Sequence, residues 1–582
     1  MSNRPVNSGF HHFDRRFLES DEDFSVIGSG ALGGKATGLA FIKAILADGV
    51  PRGTFPDVEV NIPRLAVLGT DVFVQFMERN QLYETALSDM PDDRIAHAFQ
   101  HAELPPGVVG DLRALISRVH SPLAIRSSSL LEDAVAHPFA GTYATKMIPN
   151  NQPGVDERFR RLVEAVKFVY ASTFSAEAKA YTAAIGHRVQ DERMAVLIQE
   201  VVGLRYGDRF YPTLSGVLRT FNVYPTGPGR PEDGVVSLAL GLGKTIVDGG
   251  VTWTFAPPFP RHTPALGSVH DLMHRTQTMF WAVNMGRPPA YNPIAETEYL
   301  VRETLSEAEV QGSLEHLVST YDSASDRLRI GIGSAGPRVL TFAPILDAEV
   351  VPLTALVERV AACCREAVGG DVEIEFAMTL GGRSGRSARF GFLQLRAMGW
   401  TLDAVHVSEE ELSGDRVLIG TESVLGNGRV AGIRDIVYVR PETFEARHTH
   451  AIADEVQRLN ERLRVAGRPY LLIGFGRWGC ADPWLGIPVT WAQISAARVI
   501  VEAMPPEMDV EPSQGSHFFH NISCFGVPYL TVRHAGPGAI DWSGLAALPA
   551  ELELSFVRHV RCPSPLDVRV DGRAGRGVIR RL

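Results

Sequence analysis

Residues 123–145 constrain the chain more than any other stretch, because they join a short apolar strand to a loop of hydrogen-bond donors. The apolar residues 123–125 predict a buried strand that delivers Arg126 into a loop rich in hydroxyls and glycine. Arg126 offers a planar fork of donors, three serines follow it, and Gly141 lets backbone amides approach a ligand closely. Such a set suits the phosphates of a nucleotide. The alternative is an ordinary polar loop, in which serine and glycine are common.

Length and composition indicate a globular protein of several domains. A chain of 582 residues is too long for one core, and about two to four domains are expected. The net charge of −10 is spread along the chain without a basic or aromatic-basic stripe, so no nucleic-acid partner is expected. No apolar run reaches membrane-spanning length and the first residues are polar, so we expect a cytoplasmic protein without a membrane partner. The five cysteines lack zinc or redox spacing and are expected to be reduced thiols.

A glycine loop at residues 27–35 supplies a second group of candidate phosphate contacts. It ends in Lys35 and opens an amphipathic helix, and a glycine loop before a helix N-terminus can cradle a phosphate. The loop is not a Walker motif, because Ala36 stands where that motif requires serine or threonine. Lysine is scarce in this chain, so a lysine inside a glycine loop is more easily explained by a role in that loop than by chance. The lysines in such loops are Lys35 and, in a second glycine turn at residues 241–250, Lys244.

Two predicted strands with a Gly/Arg-rich hairpin between them carry polar residues on one face each. Residues 372–378 alternate, which places Glu373 and Glu375 on the same face, and Gln394 and Arg396 likewise share a face of the following strand. An acid, an amide and an arginine on paired strands could hold a divalent cation together with a phosphate. A half-exposed hairpin with ordinary polar residues is the alternative.

Further elements follow from periodicity. Residues 194–202 predict a buried strand that carries Gln199, a position typical of an adenine hinge but also compatible with core packing. Helices are expected over residues 155–184, 296–321 and 353–368. After residue 400 the sequence predicts a separate α/β domain, with strands at 436–439 and 470–473 and a helix at 451–465.

Six motifs within residues 20–400, taken in order, resemble the nucleotide-binding domain of the pyruvate phosphate dikinase and phosphoenolpyruvate synthase group, which rifampicin phosphotransferase shares. The matching motifs are Gly33-Gly34-Lys35, Arg126-Ser127-Ser128 with Glu132-Asp133, Phe139-Ala140-Gly141 with Thr145, Gln199, Glu373-Ile374-Glu375-Phe376, and Leu393-Gln394-Leu395-Arg396. The resemblance implies an α/β protein of ATP-grasp fold with two subdomains, at residues 20–200 and 201–400. Residues 401–582 would form a smaller α/β domain, either a swivelling phosphohistidine-like domain or an acceptor-binding one.

The resemblance also implies how the chain would hold ATP. Lys35 and Arg126 would bind phosphates, Gly141 and Thr145 would belong to the small loop that closes over them, and Gln199 would lie beside the adenine.

A second set of implied roles concerns the metal and the transferred group. Glu375 and Gln394 would hold Mg²⁺, and Arg396 would steady the phosphoryl group during transfer. Positioning and charge neutralisation of this kind are the usual means of catalysing phosphoryl transfer.

The chain departs from the group in three respects. Pro138 stands where the group usually has serine, and Lys244 stands where many members have an acid. About 180 residues remain after residue 400, which is too few for a pyruvate-binding (β/α)₈ barrel of about 250 residues. We therefore expect an acceptor other than pyruvate.

The histidine of Gly515-Ser516-His517 resembles the phosphocarrier of the group, since Gly526-Val527-Pro528 follows at the appropriate distance. His517 would take a phosphoryl group from ATP and pass it on. Against this, the two phenylalanines that follow it favour packing, and His520 is a weaker candidate. Arg477, Trp478 and Gln514 could instead line an acceptor pocket, although a structural turn explains Arg477 and Trp478 equally well.

These observations predict an ATP-dependent, Mg²⁺-dependent phosphotransferase that acts on a small-molecule acceptor. An ATP-grasp ligase that activates a carboxylate as an acyl phosphate is an alternative enzyme. A non-catalytic ATP-binding protein is a third possibility, for which Lys244 is the best sequence support. The sequence leaves the acceptor and the oligomeric state open.

Overall fold

The computed structural model describes residues 10–14, 24–129, 141–184, 187–223, 225, 228–262, 272–273, 276–381, 387–398, 405–505, 516–533, 538–572 and 574–582. Several residues of the sequence motifs lie outside these ranges, namely Glu132, Asp133, Pro138, Phe139, Ala140, Gln514 and Gly515. The chain divides into an N-terminal unit (Met1–Phe221, Gly227–Ile246 and Val251–Ala397) and a C-terminal unit (Asn222–Thr226, Val247–Gly250 and Met398–Leu582). The three-domain division of the sequence analysis stays a prediction.

The described strands of the N-terminal unit form two six-stranded sheets and two smaller ones. The first sheet has the order His11–His12, Phe24–Ile27, Leu65–Leu68, Met194–Glu200, Leu123–Ser129 and Thr145–Ile148. The second sheet has the order Trp253–Phe255, Val235–Ala239, Leu214–Arg219, Val372–Thr379, Ala388–Ala397 and Val58–Asn61. The smaller sheets are Leu300–Thr304, Met279–Asn284, Arg209–Tyr211 and Leu204–Tyr206, and Arg327–Ile330, Val318–Asp322 and Arg338–Leu340.

Helices flank these sheets. The α-helices of the described residues are Gly33–Gly49, Thr70–Arg79, Tyr83–Leu87, Asp92–His101, Pro106–Arg118, Val155–Ser172, Ala176–Ala184, Lys244–Val247, Leu305–Val310, Ala343–Leu346 and Leu353–Val368. Short 3-10 turns occur at Val189–Asp191 and Pro231–Asp233.

One apolar core joins both six-stranded sheets. Leu197 of the first sheet and Phe376 of the second belong to it, together with Ile42 of helix Gly33–Gly49. Helix Leu353–Val368 contributes a regular stripe of apolar positions to the same core, and the helix ends where Gly369 adopts a φ of +74°. Glycine adopts this left-handed conformation with less strain than other residues, so Gly369 favours a helix end at this position.

The elements expected at residues 353–368, 372–378 and 194–202 are confirmed as helix Leu353–Val368 and strands Val372–Thr379 and Met194–Glu200. Two other expectations were wrong. Arg126 lies inside strand Leu123–Ser129 rather than in the following loop. The helix expected over residues 155–184 is divided into Val155–Ser172 and Ala176–Ala184.

The helix expected over residues 296–321 was also wrong. Strand Leu300–Thr304 pairs with Met279–Asn284, and a helix begins only at Leu305. Thr304 and Glu307 form a capping box, in which each side chain accepts the backbone N–H of the other. This local arrangement fixes a helix start in the middle of the expected helix, because it satisfies backbone donors that have no partner within a helix.

The C-terminal unit contains two large sheets packed face to face. The seven-stranded sheet has the order Val424–Leu425, Tyr529–Arg533, Ala497–Met504, Tyr470–Phe475, Asp435–Val439, Val557–Arg561 and Ala550–Glu553. The five-stranded sheet has the order Gly428–Val430, Leu566–Asp571, Arg576–Arg581, Val417–Thr421 and Ala539–Ile540, and strands Arg477–Trp478 and Gly486–Ile487 form a separate pair. Apolar side chains from both large sheets share one core, including Ile473, Val501 and Val568.

The helices of the C-terminal unit are Thr449–Val465, His517–Cys524 and Trp542–Ala546, with 3-10 turns at Glu409–Leu412, Pro441–Thr443, Ala446–His448 and Trp491–Ile494. The expected strands at 436–439 and 470–473 and the expected helix at 451–465 are confirmed. The α/β fold class is confirmed for the chain. None of the described helices has both the length and the apolar character needed to cross a bilayer.

Candidate active site

Lys35 lies in the first turn of helix Gly33–Gly49, which is docked tightly on strand Leu123–Ser129. Gly33 has a φ of +77°, and a Cβ at this position would lie 1.7 Å from the carbonyl oxygen of Ser128. The Ser128 hydroxyl donates to the Leu32 carbonyl oxygen at 2.8 Å and accepts the Ala36 N–H at 3.1 Å. The glycine of the sequence motif is therefore required by the close approach of two backbones.

The Lys35 ammonium group forms hydrogen bonds with Ser127, the residue that follows Arg126. Its Nζ donates to the carbonyl oxygen and to the hydroxyl of Ser127, at 3.2 and 3.1 Å. The pairing of this strand with Thr145–Ile148 ends at Arg126, so Ser127 lies one residue beyond it. Lys35 is buried, and its ammonium group lies just beyond the point where the pairing with strand Thr145–Ile148 stops.

Arg126 connects the two six-stranded sheets. From the first sheet, its Nη1 donates to the Gln199 Oε1 at 3.4 Å. In the second sheet, Nη1 donates to the Leu393 carbonyl oxygen at 3.2 Å and Nη2 donates to the Gln394 Oε1 at 2.7 Å. The planar fork of arginine can make such divergent contacts together, which a lysine cannot.

The predicted closing loop is described in part. Thr145 begins strand Thr145–Ile148 and is the direct partner of Arg126 in the pairing register. Gly141 is exposed in a bend with a φ of +75°. The threonine thus lies beside the arginine, as a shared phosphate site would require.

The second sheet brings the polar pairs of the hairpin together. Glu373 is the register partner of Arg396, and Glu375 is the partner of Gln394. The Arg396 Nη1 donates to the Glu373 Oε1 at 2.9 Å and to the Glu375 Oε1 at 2.6 Å. The other oxygen of Glu375 lies 3.6 Å from the Arg126 Nη2, so the carboxylate lies between two arginines.

The donor set fits a magnesium ion that also binds phosphate. Glu375 and Gln394 present a carboxylate and an amide oxygen from adjacent positions, and Mg²⁺ commonly takes one or two such ligands and completes its shell with phosphate and water. No group of three or more acidic, histidine or cysteine side chains that could hold a metal occurs among the described residues.

Two participants in this network were not among the candidates from the sequence. Glu373 was seen only as part of the acidic strand, and Arg219 was not singled out. The Arg219 Nε donates to the Glu373 Oε2 at 2.7 Å, and its Nη2 also contacts that oxygen. The available signal was an arginine in the apolar run of strand Leu214–Arg219, since arginine is seldom fully buried unless it is paired.

Lys244 has an acidic neighbour. Its Nζ lies 3.8 Å from the Glu296 Oε1, and the lysine side chain is 20% exposed. The acid that many members of the resembled group carry is thus replaced by a lysine close to a carboxylate from elsewhere in the N-terminal unit.

In the C-terminal unit, His517 is the first residue of helix His517–Cys524 and is half-buried. His520, in the same helix, is buried. The Ser516 hydroxyl accepts the Phe519 N–H at 3.2 Å, which caps the start of this helix. An imidazole at this position is partly accessible, whereas His520 is not.

Arg477 and Trp478 serve the interior of the C-terminal unit. The Arg477 Nη1 donates to the Gly249 carbonyl oxygen at 2.8 Å, and the Trp478 Nε1 donates to the Val501 carbonyl oxygen at 3.0 Å. Both side chains are buried. These contacts favour the structural interpretation of the Gly-Arg-Trp-Gly segment over an open pocket.

Glu502 is a buried acid that sequence reasoning missed. Burial raises the pKa of its carboxyl group to about 7, and the Tyr529 hydroxyl, which donates to its Oε2, opposes the rise together with the charges of Arg477 and Arg533. The side chain is 1% exposed. An acid inside the apolar run of strand Ala497–Met504 was the signal that the sequence offered.

Comparison with known proteins defines the class to which the site belongs. A family model described as "Pyruvate phosphate dikinase, AMP/ATP-binding domain" matches residues 29–411, which is more than half of the chain and contains the whole arginine–carboxylate network. The chain therefore carries an ATP-binding domain of mixed α/β fold, consistent with an ATP-grasp-like architecture. It belongs to the pyruvate phosphate dikinase AMP/ATP-binding domain family.

Two curated relatives match parts of the chain. A phosphoenolpyruvate synthase of Aeropyrum pernix is 31% identical over 235 residues, which cover 38% of this chain and 26% of that protein. An uncharacterized phosphotransferase of Bacillus subtilis, YvkC, is 27% identical over 193 residues, which cover 33% of this chain and 20% of that protein. The matched regions thus span about a quarter or less of the length of these relatives.

Proposed function

We propose that this protein is an ATP-dependent, Mg²⁺-dependent phosphotransferase of the dikinase and phosphoenolpyruvate synthase type, acting on a small-molecule acceptor other than pyruvate. The observation that carries the proposal is the convergence of Arg126, Gln394, Glu375 and Arg396 in one hydrogen-bonded network. These residues come from both six-stranded sheets of the N-terminal unit. The family membership and the printed names of the two relatives agree with it.

In this proposal the basic side chains bind the phosphates. Lys35 and Arg126 bind the triphosphate, with Thr145 next to the arginine and Gly141 in the adjacent bend. Arg396 stabilises the charge of the group in transfer, because a fixed guanidinium near developing negative charge costs no reorganisation during the reaction.

The residues proposed to hold the metal differ from the residue proposed to lie beside the adenine. Glu375 and Gln394 would hold Mg²⁺, and the ion would supply positive charge that neutralises the phosphates. The adenine role of Gln199 stays a prediction: its Oε1 accepts from Arg126, so the amide lies beside a phosphate-binding residue.

The described strands of the C-terminal unit do not themselves form a pyruvate-binding barrel. Its described strands form seven-stranded, five-stranded and two-stranded sheets, and the seven-stranded one mixes parallel and antiparallel pairs. A (β/α)₈ barrel instead needs eight parallel strands and about 250 residues.

Transfer through His517 is the second part of the proposal. Its place at the start of a helix, half-buried rather than enclosed, leaves the imidazole able to act as a nucleophile. Direct transfer from ATP to the acceptor is the alternative, and the nucleotide product distinguishes the two. A phosphohistidine route of the dikinase type gives AMP, because one phosphoryl group passes through the histidine to the acceptor and the γ-phosphate goes to water or inorganic phosphate. Direct transfer of the γ-phosphoryl group to the acceptor gives ADP.

The test is incubation of the full chain with ATP labelled at the β or γ phosphate, with and without a metabolite extract. We expect Mg²⁺-dependent nucleotide product that Arg396→Lys strongly reduces, while a control variant at an exposed arginine, Arg329→Lys, leaves it unchanged. Acid-labile label that is lost in His517→Asn and kept in His520→Asn supports the relay. Trapping of an acyl group by hydroxylamine would instead establish a ligase, and Mg-ATP binding without any product would establish a non-catalytic protein.

A further inference from the structure

Arg219 and Glu373 form the most deeply buried ion pair of the candidate active site. The two side chains are 2% and 3% exposed, whereas those of Glu375 and Arg126 are 14% and 12% exposed. Arg219 uses both Nε and Nη2 on a single carboxylate oxygen, the Glu373 Oε2. The pair therefore lies at the more buried end of the network, next to Arg396, whose side chain is also 3% exposed.

The ion pair continues into the residues proposed to act on ATP. Glu373 divides its oxygens, with Oε2 on Arg219 and Oε1 on the Arg396 Nη1. The same Nη1 also donates to the Glu375 Oε1, and the other oxygen of Glu375 faces Arg126. Five side chains of alternating charge thus run from the interior to the proposed phosphate site.

The strand register places Arg219 and Arg396 on opposite sides of Glu373. Arg219 is the register partner of Glu373 on one side, and Arg396 is its partner on the other. Glu373 is consequently held between two arginines on adjacent strands. If Arg219 were removed, Glu373 Oε2 would lose this guanidinium, and the planar fork of Arg396 could reach both carboxylate oxygens, since bidentate pairing is the preferred geometry of an arginine and a carboxylate.

We propose that Arg219 is a positioning residue for phosphoryl transfer: by occupying one oxygen of Glu373, it limits Arg396 to a single contact with that carboxylate and keeps its guanidinium at Glu375. The expected change in turnover rests on the proposed function, whereas the expected change in the position of Arg396 does not.

A purely stabilising role for Arg219 makes a different prediction. A buried ion pair that only supports the fold would, when broken, lower the stability without changing the turnover of molecules that remain folded. Positioning instead affects turnover, because a displacement of about 1 Å of a catalytic group can cost about 100-fold in rate. The maximum rate and the affinity for ATP therefore separate the two roles.

The experiment compares Arg219→Met with Arg158→Met well below their melting temperatures. Arg158 is a matched control, since it is also 2% exposed and donates to the Val119 carbonyl oxygen within the N-terminal unit. We expect kcat to fall about 100-fold in Arg219→Met. The Kd for Mg-ATP should stay within about threefold of the wild-type value because Arg126 keeps its contacts, and kcat of Arg158→Met should be unchanged. An unchanged kcat in folded Arg219→Met would overturn the proposal.

A second variant and a second readout keep the result interpretable. Should Arg219→Met fail to fold, Arg219→Lys retains the charge but loses the second donor to Glu373, and kcat is expected to fall about tenfold. Crystal structures of the wild-type and variant chains test the positioning directly. We expect Arg396 to leave Glu375 and to pair with both oxygens of Glu373, and an Arg396 that keeps its contact with Glu375 would contradict us. If the wild-type chain has no turnover, the proposed function fails, while the crystal structures still decide the role of Arg219.

Discussion

Replacement of Glu502 by glutamine is expected to remove a pH dependence from the stability of the chain. Val499 and Val501 face the core between the two large sheets of the C-terminal unit, so alternation places Glu502 on the opposite face of its strand. There its Oε2 accepts the Tyr529 hydroxyl, and its Oε1 has no hydrogen-bond partner among the described residues. A carboxylate charge at this position has lost most of its hydration, which is why the pKa is raised.

The size of the effect follows from the two pKa values. A pKa of about 7 in the folded chain against 4.5 in the unfolded chain, at about 1.4 kcal/mol per pH unit, amounts to about 3 kcal/mol. Between these values the folded chain binds more protons than the unfolded chain, so the free energy of unfolding falls as the pH rises. The contribution of Glu502 is fully present below pH 4.5 and is lost as the pH passes about 7.

The measurement is urea unfolding of the full chain at several values between about pH 5 and about pH 8, where most of the change falls. Tryptophan fluorescence reports the unfolding of this region, because the Trp478 indole donates to the carbonyl oxygen of Val501, the residue next to Glu502. Glu502→Gln should be close to wild type in stability at the acidic end and more stable by about 2 to 3 kcal/mol at the alkaline end. Glu410→Gln, at an exposed acid of the same unit, is the control and should follow the wild-type curve.

The reasoning would be refuted if wild type and Glu502→Gln kept a constant difference in stability across this pH range. A constant difference would mean that the carboxyl group titrates alike in the folded and unfolded chains. A larger difference at the acidic end would reverse the sign, and would show that Arg477 and Arg533 outweigh desolvation.

Two further perturbations concern the N-terminal unit. Lys146→Met should lower the free energy of unfolding by about 3 to 5 kcal/mol in urea titrations, because it leaves the buried Glu298 carboxylate, now 2.7 Å from the ammonium, without that partner. The double variant with Glu298→Gln should recover most of the loss, and failure to recover would contradict the ion-pair explanation. Gly33→Ala should lower the melting temperature and weaken Mg-ATP binding in calorimetric titration, since its Cβ would collide with the Ser128 carbonyl. Gly38→Ala, in the same helix with nothing within 4 Å of the new methyl group, should instead leave both unchanged or slightly raise the melting temperature.

Local patterns in the sequence were sufficient for many elements of the fold. Helix Leu353–Val368 is recognisable because its apolar positions recur with the helical period and a glycine ends it. The strand at Val372–Thr379 is equally clear from alternation. The helix expected over residues 296–321 was wrong because strand Leu300–Thr304 occupies its first part, and the capping box at Thr304 starts a helix only at Leu305.

The sequence also identified most of the side chains of the candidate site, because their chemistry is specific to phosphate and magnesium. It missed Arg219 and Glu502, both charged residues inside apolar strands. A single sequence does not show which residue such a charged side chain contacts. That contact decides whether the side chain forms a buried ion pair, binds a proton in the interior or lies at an exposed edge of the sheet.

By itself, the sequence determined which side chains share a face of each strand, since alternation is a property of one extended backbone. Only the tertiary structure decided which strands are neighbours, and hence that Arg219 and Arg396 flank Glu373 and that Arg126 reaches Gln394 across 268 positions of the chain. The same holds for the pKa of Glu502, which depends on how much water the assembled sheets and helices exclude from it. Contacts and burial of this kind arise from the packing of distant segments, and no local pattern encodes them.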